Sequence, residues 1–235
     1  MPRPLLIAKA GSTLPAVADQ YGDFERWFVA AFERAGRAAE VVDLARDSCP
    51  ADLDRFGGLL VTGSAASVTN VEPWMVPLSA LLRKALDRDV AVLGVCFGHQ
   101  MLAQALGGEV VKNAAGREIG TVAVEFTADG ANDPLFADLP NPLEVQATHV
   151  DVVARLPAGA RLLARNDYGI QAFAIGRARG VQFHPEITGE VARRYIEERR
   201  AVLESEGLDP RALLARVAPT PDALTVPLAA VQNGP

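Results

Sequence analysis

Four short, almost wholly apolar runs punctuate the first hundred residues: 5–8, 41–44, 58–62 and 90–95. Strands with little polar alternation need cover on both faces, which is the habit of a parallel sheet. Helix-like patterns lie between them. Phe24, Trp27, Phe28, Ala31 and Phe32 recur at helical spacing with charged residues interspersed, and Gly36 ends the pattern. Leu78, Leu81, Leu82, Ala85 and Leu86 mark one face of another helix, and residues 99–106 form a third, stopped by Gly107 and Gly108. Alternation of this kind predicts an α/β fold with helices on both sides of a parallel sheet.

The second half reads differently. Strand-like runs at 110–111, 121–126, 143–147, 162–163, 170–175 and 181–183 follow one another with few helices between them, which predicts a partly antiparallel extension. Residues 190–206 read as one charged helix, and a short helix is expected near 211–217. The segment 218–235 is rich in proline. With no repeat and no linker, the chain reads as a single domain over 1–217 and a tail over 218–235.

Composition narrows the function. Apolar residues make up 49% and charged residues 22%, which excludes a disordered chain. Acids exceed bases 29 to 23, giving a net charge of −6. That speaks against nucleic-acid and anionic-membrane binding, where basic surface supplies the affinity. No apolar run approaches the roughly 18 residues that span a bilayer. Cys49 and Cys96 are the only cysteines, so a disulfide framework is excluded and a cytoplasmic setting is expected.

The strongest chemical signal is Gly94-Val95-Cys96-Phe97-Gly98, with a buried strand entering and a helix leaving. It has the form of a nucleophile elbow with cysteine in place of serine. The flanking glycines are expected to permit the sharp turn. The sulfur then sits at a helix N-terminus, where the dipole favours thiolate, and the Phe97 N–H points to a forming oxyanion. Against this stands the ordinary fate of a free cysteine, a small buried core residue.

A thiol nucleophile needs a base. His149 is followed at i+2 by Asp151 and His184 at i+2 by Glu186. In extended backbone either pair can form a base with its orienting carboxylate, and spacing does not choose between them. His99 reads as a satisfied core histidine or one that supports the site from behind. No cysteine and histidine spacing suggests a metal site, and no phosphate-binding loop is present. Gly63-Ser64 closes the third run and is placed to supply a second oxyanion donor.

Residues 94–108, taken with Val181-Gln182-Phe183-His184-Pro185-Glu186, resemble the class I (triad-type) glutamine amidotransferases. The likeness is closest to the amidotransferase domain of GMP synthase and its stand-alone relatives. Gly63-Ser64 with Ser67-Val68 and Pro73-Trp74, Arg117 to Gly120, and Thr148 to Asp151 fit the same pattern. The resemblance implies a flavodoxin-like three-layer sandwich and a catalytic triad of Cys96, His184 and Glu186. It also implies an oxyanion hole at Gly63, Ser64 and Phe97, and glutamine contacts from Gln100, Thr148, His149, Val150 and Asp151. No metal or organic cofactor is implied.

The implied activity is glutamine amide hydrolysis through a glutamyl thioester, with ammonia delivered to a separate synthetase subunit. Val150 stands where the family often has glycine, which reshapes the pocket and keeps γ-glutamyl peptide hydrolysis as the alternative. A third reading is a catalytically silent binding module. A synthetase, or a second copy in a homo-oligomer, is expected to cover the pocket mouth near Gly63-Ser64. Residues 65–68 and Trp74 are the expected contacts, unless Trp74 packs under its own loop.

Overall fold

The computed structural model describes residues 3–220. Most of the expected tail, residues 221–235, therefore lies outside the described residues. In chain order the elements begin with β1 (Leu5–Lys9), α1 (Pro15–Tyr21), α2 (Phe24–Arg34), β2 (Ala39–Asp43), β3 (Gly58–Val61), α3 (Met75–Asp87), β4 (Val92–Val95) and α4 (Phe97–Ala105). The second half continues with β5 (Glu109–Lys112), β6 (Glu118–Phe126), α5 (Ala128–Ala131), β7 (Leu143–His149), β8 (Asp151–Arg155), β9 (Arg161–Asn166), β10 (Gly169–Ile175) and β11 (Ala178–Val181). Three helices close the described chain: α6 (Gly189–Glu198), α7 (Arg200–Ser205) and α8 (Pro210–Arg216).

One nine-stranded sheet runs through the molecule in the order β2-β1-β3-β4-β11-β10-β9-β6-β7. The first five of these pair in parallel, and the remaining pairings are antiparallel. The parallel part has the flavodoxin-like order, with β11 in the place of the fifth strand. The apolar runs behave as expected of doubly covered strands. Leu6, Ala8, Leu59, Val61 and Val92 pack on the face carrying Leu78, Leu82 and Leu102 of α3 and α4. Leu5, Ile7, Leu60 and Leu93 pack on the opposite face, against Phe28 and Phe32 of α2.

Three local expectations change. The helix expected over 190–206 breaks at Arg199 into α6 and α7. Its two halves face the same satellite core, with Tyr195 and Ile196 from one and Leu203 from the other. The last strand of the parallel part is Ala178–Val181 rather than 181–183, because its ladder with β4 ends at Val181 and Val95. Helix α1 lacks a long apolar pattern and was not expected; Pro15 at its first turn and Val17 against the satellite core hold it.

Candidate active site

Cys96 sits at the junction of β4 and α4 with φ 51° and ψ −100°. For a residue with a side chain this region costs on the order of 1–3 kcal/mol, and such strain collects at functional sites. The Cys96 N–H donates to the Val181 carbonyl at 2.8 Å, and Gln100 N–H closes the first helical turn on the Cys96 carbonyl at 3.1 Å. The flanking glycines serve a different purpose from the one expected. Neither has a positive φ. A Cβ on Gly94 would stand 2.3 Å from the Gly98 carbonyl oxygen, and one on Gly98 would stand 2.3 Å from the Val61 oxygen. They allow α4 to lie against β4 and β3, and the strain of the turn falls on Cys96 itself.

That placement has a measurable consequence. Cys96→Gly is expected to be more stable than Cys96→Ala by about 1 kcal/mol, the reverse of the usual order of the two residues. Urea denaturation of the two variants checks it, and a more stable alanine variant would show that the backbone is not strained.

His184 follows β11 and brings its ring to the same end of the sheet. Its Nδ1 lies 2.7 Å from Glu186 Oε1, and both side chains are almost completely buried. The ring stacks on Phe24 at 5.7 Å with planes 14° apart. Phe24 opens α2, whose first turn is capped by Asp23. Burial works to lower the basicity of His184, but the charges of Glu186 and Cys96 and hydrogen bonds to both outweigh it. The net result is a pKa raised to about 10, so the ring is an imidazolium at neutral pH.

The other two histidines are placed elsewhere. His149 does not take the Asp151 carboxylate, which corrects the expectation of a second base pair of the same form. Its Nε2 lies 2.7 Å from Glu118 Oε2, and its Nδ1 faces the Asp151 carbonyl oxygen at 3.2 Å. The Asp151 carboxylate instead accepts from the Ser67 hydroxyl, across the site. His99 is fully buried, and neither ring nitrogen has a hydrogen-bond partner among the described residues. It is therefore not the satisfied core histidine expected. Burial, aided by the nearby His149, lowers its pKa to about 3 and keeps it neutral.

Gly63 stands directly beside the His184 ring, where a Cβ would come within 2.9 Å of Cε1. Ser64 Oγ accepts from the Ala66 N–H at 3.1 Å and fixes the bend of this loop. The Phe97 N–H belongs to the first turn of α4, where donors lack intrahelical acceptors. Gln100 spends its Nε2 on the Asp151 carbonyl at 2.7 Å and on Gln182 Oε1 at 3.1 Å. Thr148 Oγ1 is buried without a partner among the described residues, and Val150 is half-buried beside it. Trp74 rests on Phe97, ring centroids 5.5 Å apart, and donates to Glu72 at 3.1 Å. Val68 is buried, and the exposed apolar side chains of this region are Val71 and Val76, each 60% exposed.

Comparison with known proteins places the fold in a described family. Residues 16–202 match the family described as Glutamine amidotransferase class-I. The chain belongs to the class I glutamine amidotransferase family. A relative from Arabidopsis thaliana, gamma-glutamyl peptidase 5, is 31% identical over 193 residues, covering 80% of this chain and 76% of the relative. A GMP synthase of Vibrio atlanticus is 36% identical over 143 residues, covering 59% of this chain and 26% of the synthase. The crystal structure of a glutamine amidotransferase from Thermotoga maritima superposes with a TM-score of 0.75 at 25% identity, covering 99% of this chain and 97% of that one.

Within this class I amidotransferase fold, the sequence left several side chains around the site without a role. Buried Glu118 and Gln171 and half-buried Asn166 form a polar group around His149, and buried Gln182 accepts from Gln100. Their signal was present only as isolated polar residues in apolar strands, Gln171 and Gln182 among them. Phe24 was read as a core position of α2, and nothing local indicated that its ring would face His184.

Proposed function

We propose that this chain is a cysteine-dependent hydrolase of γ-glutamyl amide bonds, with γ-glutamyl peptides or amines as its substrates. The observation that carries the reading is the strained, buried Cys96 at the N-terminus of α4, at the same end of the sheet as a His184 ring held by Glu186 at 2.7 Å.

The chemistry follows from these parts. The Cys96 thiolate attacks the γ-carbonyl carbon, and the carbonyl oxygen becomes an oxyanion. Backbone N–H groups of Phe97 and of the Gly63–Ser64 loop accept that charge, each worth about 3 kcal/mol in comparable hydrolases. The C–N bond breaks as His184 gives its proton to the leaving nitrogen. Water then attacks the glutamyl thioester, His184 takes the proton, and the thiolate leaves from a γ-carboxylate. Glu186 holds the ring in one orientation and stabilises its charged form throughout.

The relatives support this choice of leaving group. The match to gamma-glutamyl peptidase 5 runs along most of both chains, whereas the match to GMP synthase spans about a quarter of that protein. Glutamine, with ammonia passed to a separate synthetase, is the second reading, supported by the same family and by that GMP synthase match. If a partner covers the site, the exposed apolar side chains Val71 and Val76, which follow the oxyanion loop in the chain, are better contacts than Trp74.

Two measurements test this. A glutamine-shaped alkylating agent is expected to label Cys96 before Cys49, whose thiol burial pushes away from ionisation. Peptide mapping that finds activity lost with Cys96 unmodified would overturn the nucleophile. In parallel assays, a γ-glutamyl dipeptide is expected to be cleaved at higher kcat/KM than glutamine. The reverse order, above all with a co-purifying protein raising glutaminase turnover, would favour the second reading.

A further inference from the structure

Glu118 is among the most deeply buried acids of the described chain, 2% exposed, and the hydrolysis steps above do not use it. Strands β6 and β7 pair so that Glu118 lies directly opposite His149. Residues in that relation project to the same side of a sheet, so the contact between them is set by register. The carboxylate receives three donors: His149 Nε2 at 2.7 Å, Gln171 Nε2 at 2.8 Å and Asn166 Nδ2 at 2.6 Å. All three contacts use the carboxylate oxygens as acceptors.

The other nitrogen of His149 faces the Asp151 carbonyl oxygen. Both partners of this ring, a carboxylate and a carbonyl, only accept hydrogen bonds. The Asp151 carbonyl also receives Gln100 Nε2 at 2.7 Å, and Gln100 lies one turn beyond Cys96 on α4. Loop 148–151 is thus tied to the nucleophile's helix on one side and to Glu118 on the other. Its neighbour Gln146 forms a backbone bridge with His184.

We propose that Glu118 is a positioning residue of the glutamyl site: its carboxylate holds the His149 ring between itself and the Asp151 carbonyl, and so fixes the wall of the pocket. This rests on the proposed γ-glutamyl hydrolysis, with the glutamyl chain lying against residues 148–151. Glu118 touches no reacting atom, so its loss acts on binding of the glutamyl portion and leaves the Cys96–His184 pair in place.

The experiment compares the full-length protein with its Glu118→Gln variant, which keeps the volume but replaces one acceptor oxygen by a donor. Kinetics are measured with a chromogenic γ-glutamyl anilide. Cys96 labelling is measured with a glutamine-shaped diazoketone and, separately, with iodoacetamide. Glu118→Gln is expected to raise KM about tenfold with kcat changed by less than about threefold. It is also expected to lose most of the diazoketone's advantage over iodoacetamide, while the iodoacetamide rate stays at the wild-type value. Wild-type KM and labelling selectivity, with only a lower melting temperature, would reduce Glu118 to a structural residue and overturn the proposal. So would an equal fall in kcat and iodoacetamide reactivity. Should Glu118→Gln fail to fold, Glu118→Asp keeps the charge but draws it back from His149. The same KM effect is then expected, and wild-type KM in that variant is again fatal. Failure of the hydrolase reading looks different: the wild-type protein itself then shows no preference for the glutamine-shaped reagent.

Discussion

Replacing His184 with alanine is expected to lower kcat for γ-glutamyl amide cleavage about a thousandfold. In the proposed mechanism the variant loses the acid that protonates the leaving nitrogen and the base that activates water, whereas the proposed backbone oxyanion donors remain. His149→Ala is expected to act on KM instead, since that ring contacts Glu118 and the Asp151 carbonyl rather than the nucleophile. Steady-state kinetics of the two variants separate the roles. A dead His149 variant beside a His184 variant of near-normal kcat would reverse the assignment.

The charge on His184 adds a pH signature. Its pKa is raised from 6.5 to about 10 in the folded chain. A group whose folded value is raised binds its proton more tightly in the native state, so its contribution to stability is complete below pH 6.5. That contribution is lost as pH climbs through 10. The stability difference between wild type and His184→Ala is therefore expected to be largest at or below pH 6.5 and to shrink towards pH 10. Turnover is expected to fall over the same alkaline limb, because the leaving nitrogen then finds no proton. A stability difference that grows between pH 7 and 10 would contradict the imidazolium.

The second large effect concerns the backbone behind the nucleophile. Gly98→Ala places a methyl 2.3 Å from the Val61 carbonyl oxygen and 3.0 Å from Val61 Cβ. Backbone of a central strand does not yield as a flexible side chain would, so α4 must move away from β3. The expected cost is about 3 kcal/mol, measured by denaturant unfolding. Cys96 and Phe97 are carried by the same helix, so kcat is expected to fall with stability. The cavity left by removing bulk elsewhere would not produce that pairing of effects. An alanine variant with wild-type stability and kcat would show that the helix is free to shift.

The physical meaning of the elbow glycines was only half legible. That glycine must flank Cys96 follows from the sequence pattern, but the reason first expected was freedom of φ. The reason found is proximity: Gly94 and Gly98 are spaces through which α4 approaches two strands. Crowding of that kind involves Val61, a residue distant in sequence, and no local pattern reports it.

Local sequence determined the parts whose physics is local. Short apolar runs imply strands covered on both faces, and the runs at β1, β3 and β4 are buried on both. A strand, a glycine-flanked cysteine and a helix imply a thiol at a helix N-terminus, and Cys96 stands there. Tertiary structure decided what depends on meeting in space. Two His-x-acid pairs look alike as text, yet only His184 turns its ring to its own acid. At His149, strand register presents Glu118, and Asp151 is drawn to Ser67. Side-chain direction along one strand follows from a period of two, but the partner opposite is chosen by how β6 and β7 pair. That choice is a property of the folded sheet, and the burial of Glu118 becomes intelligible only there.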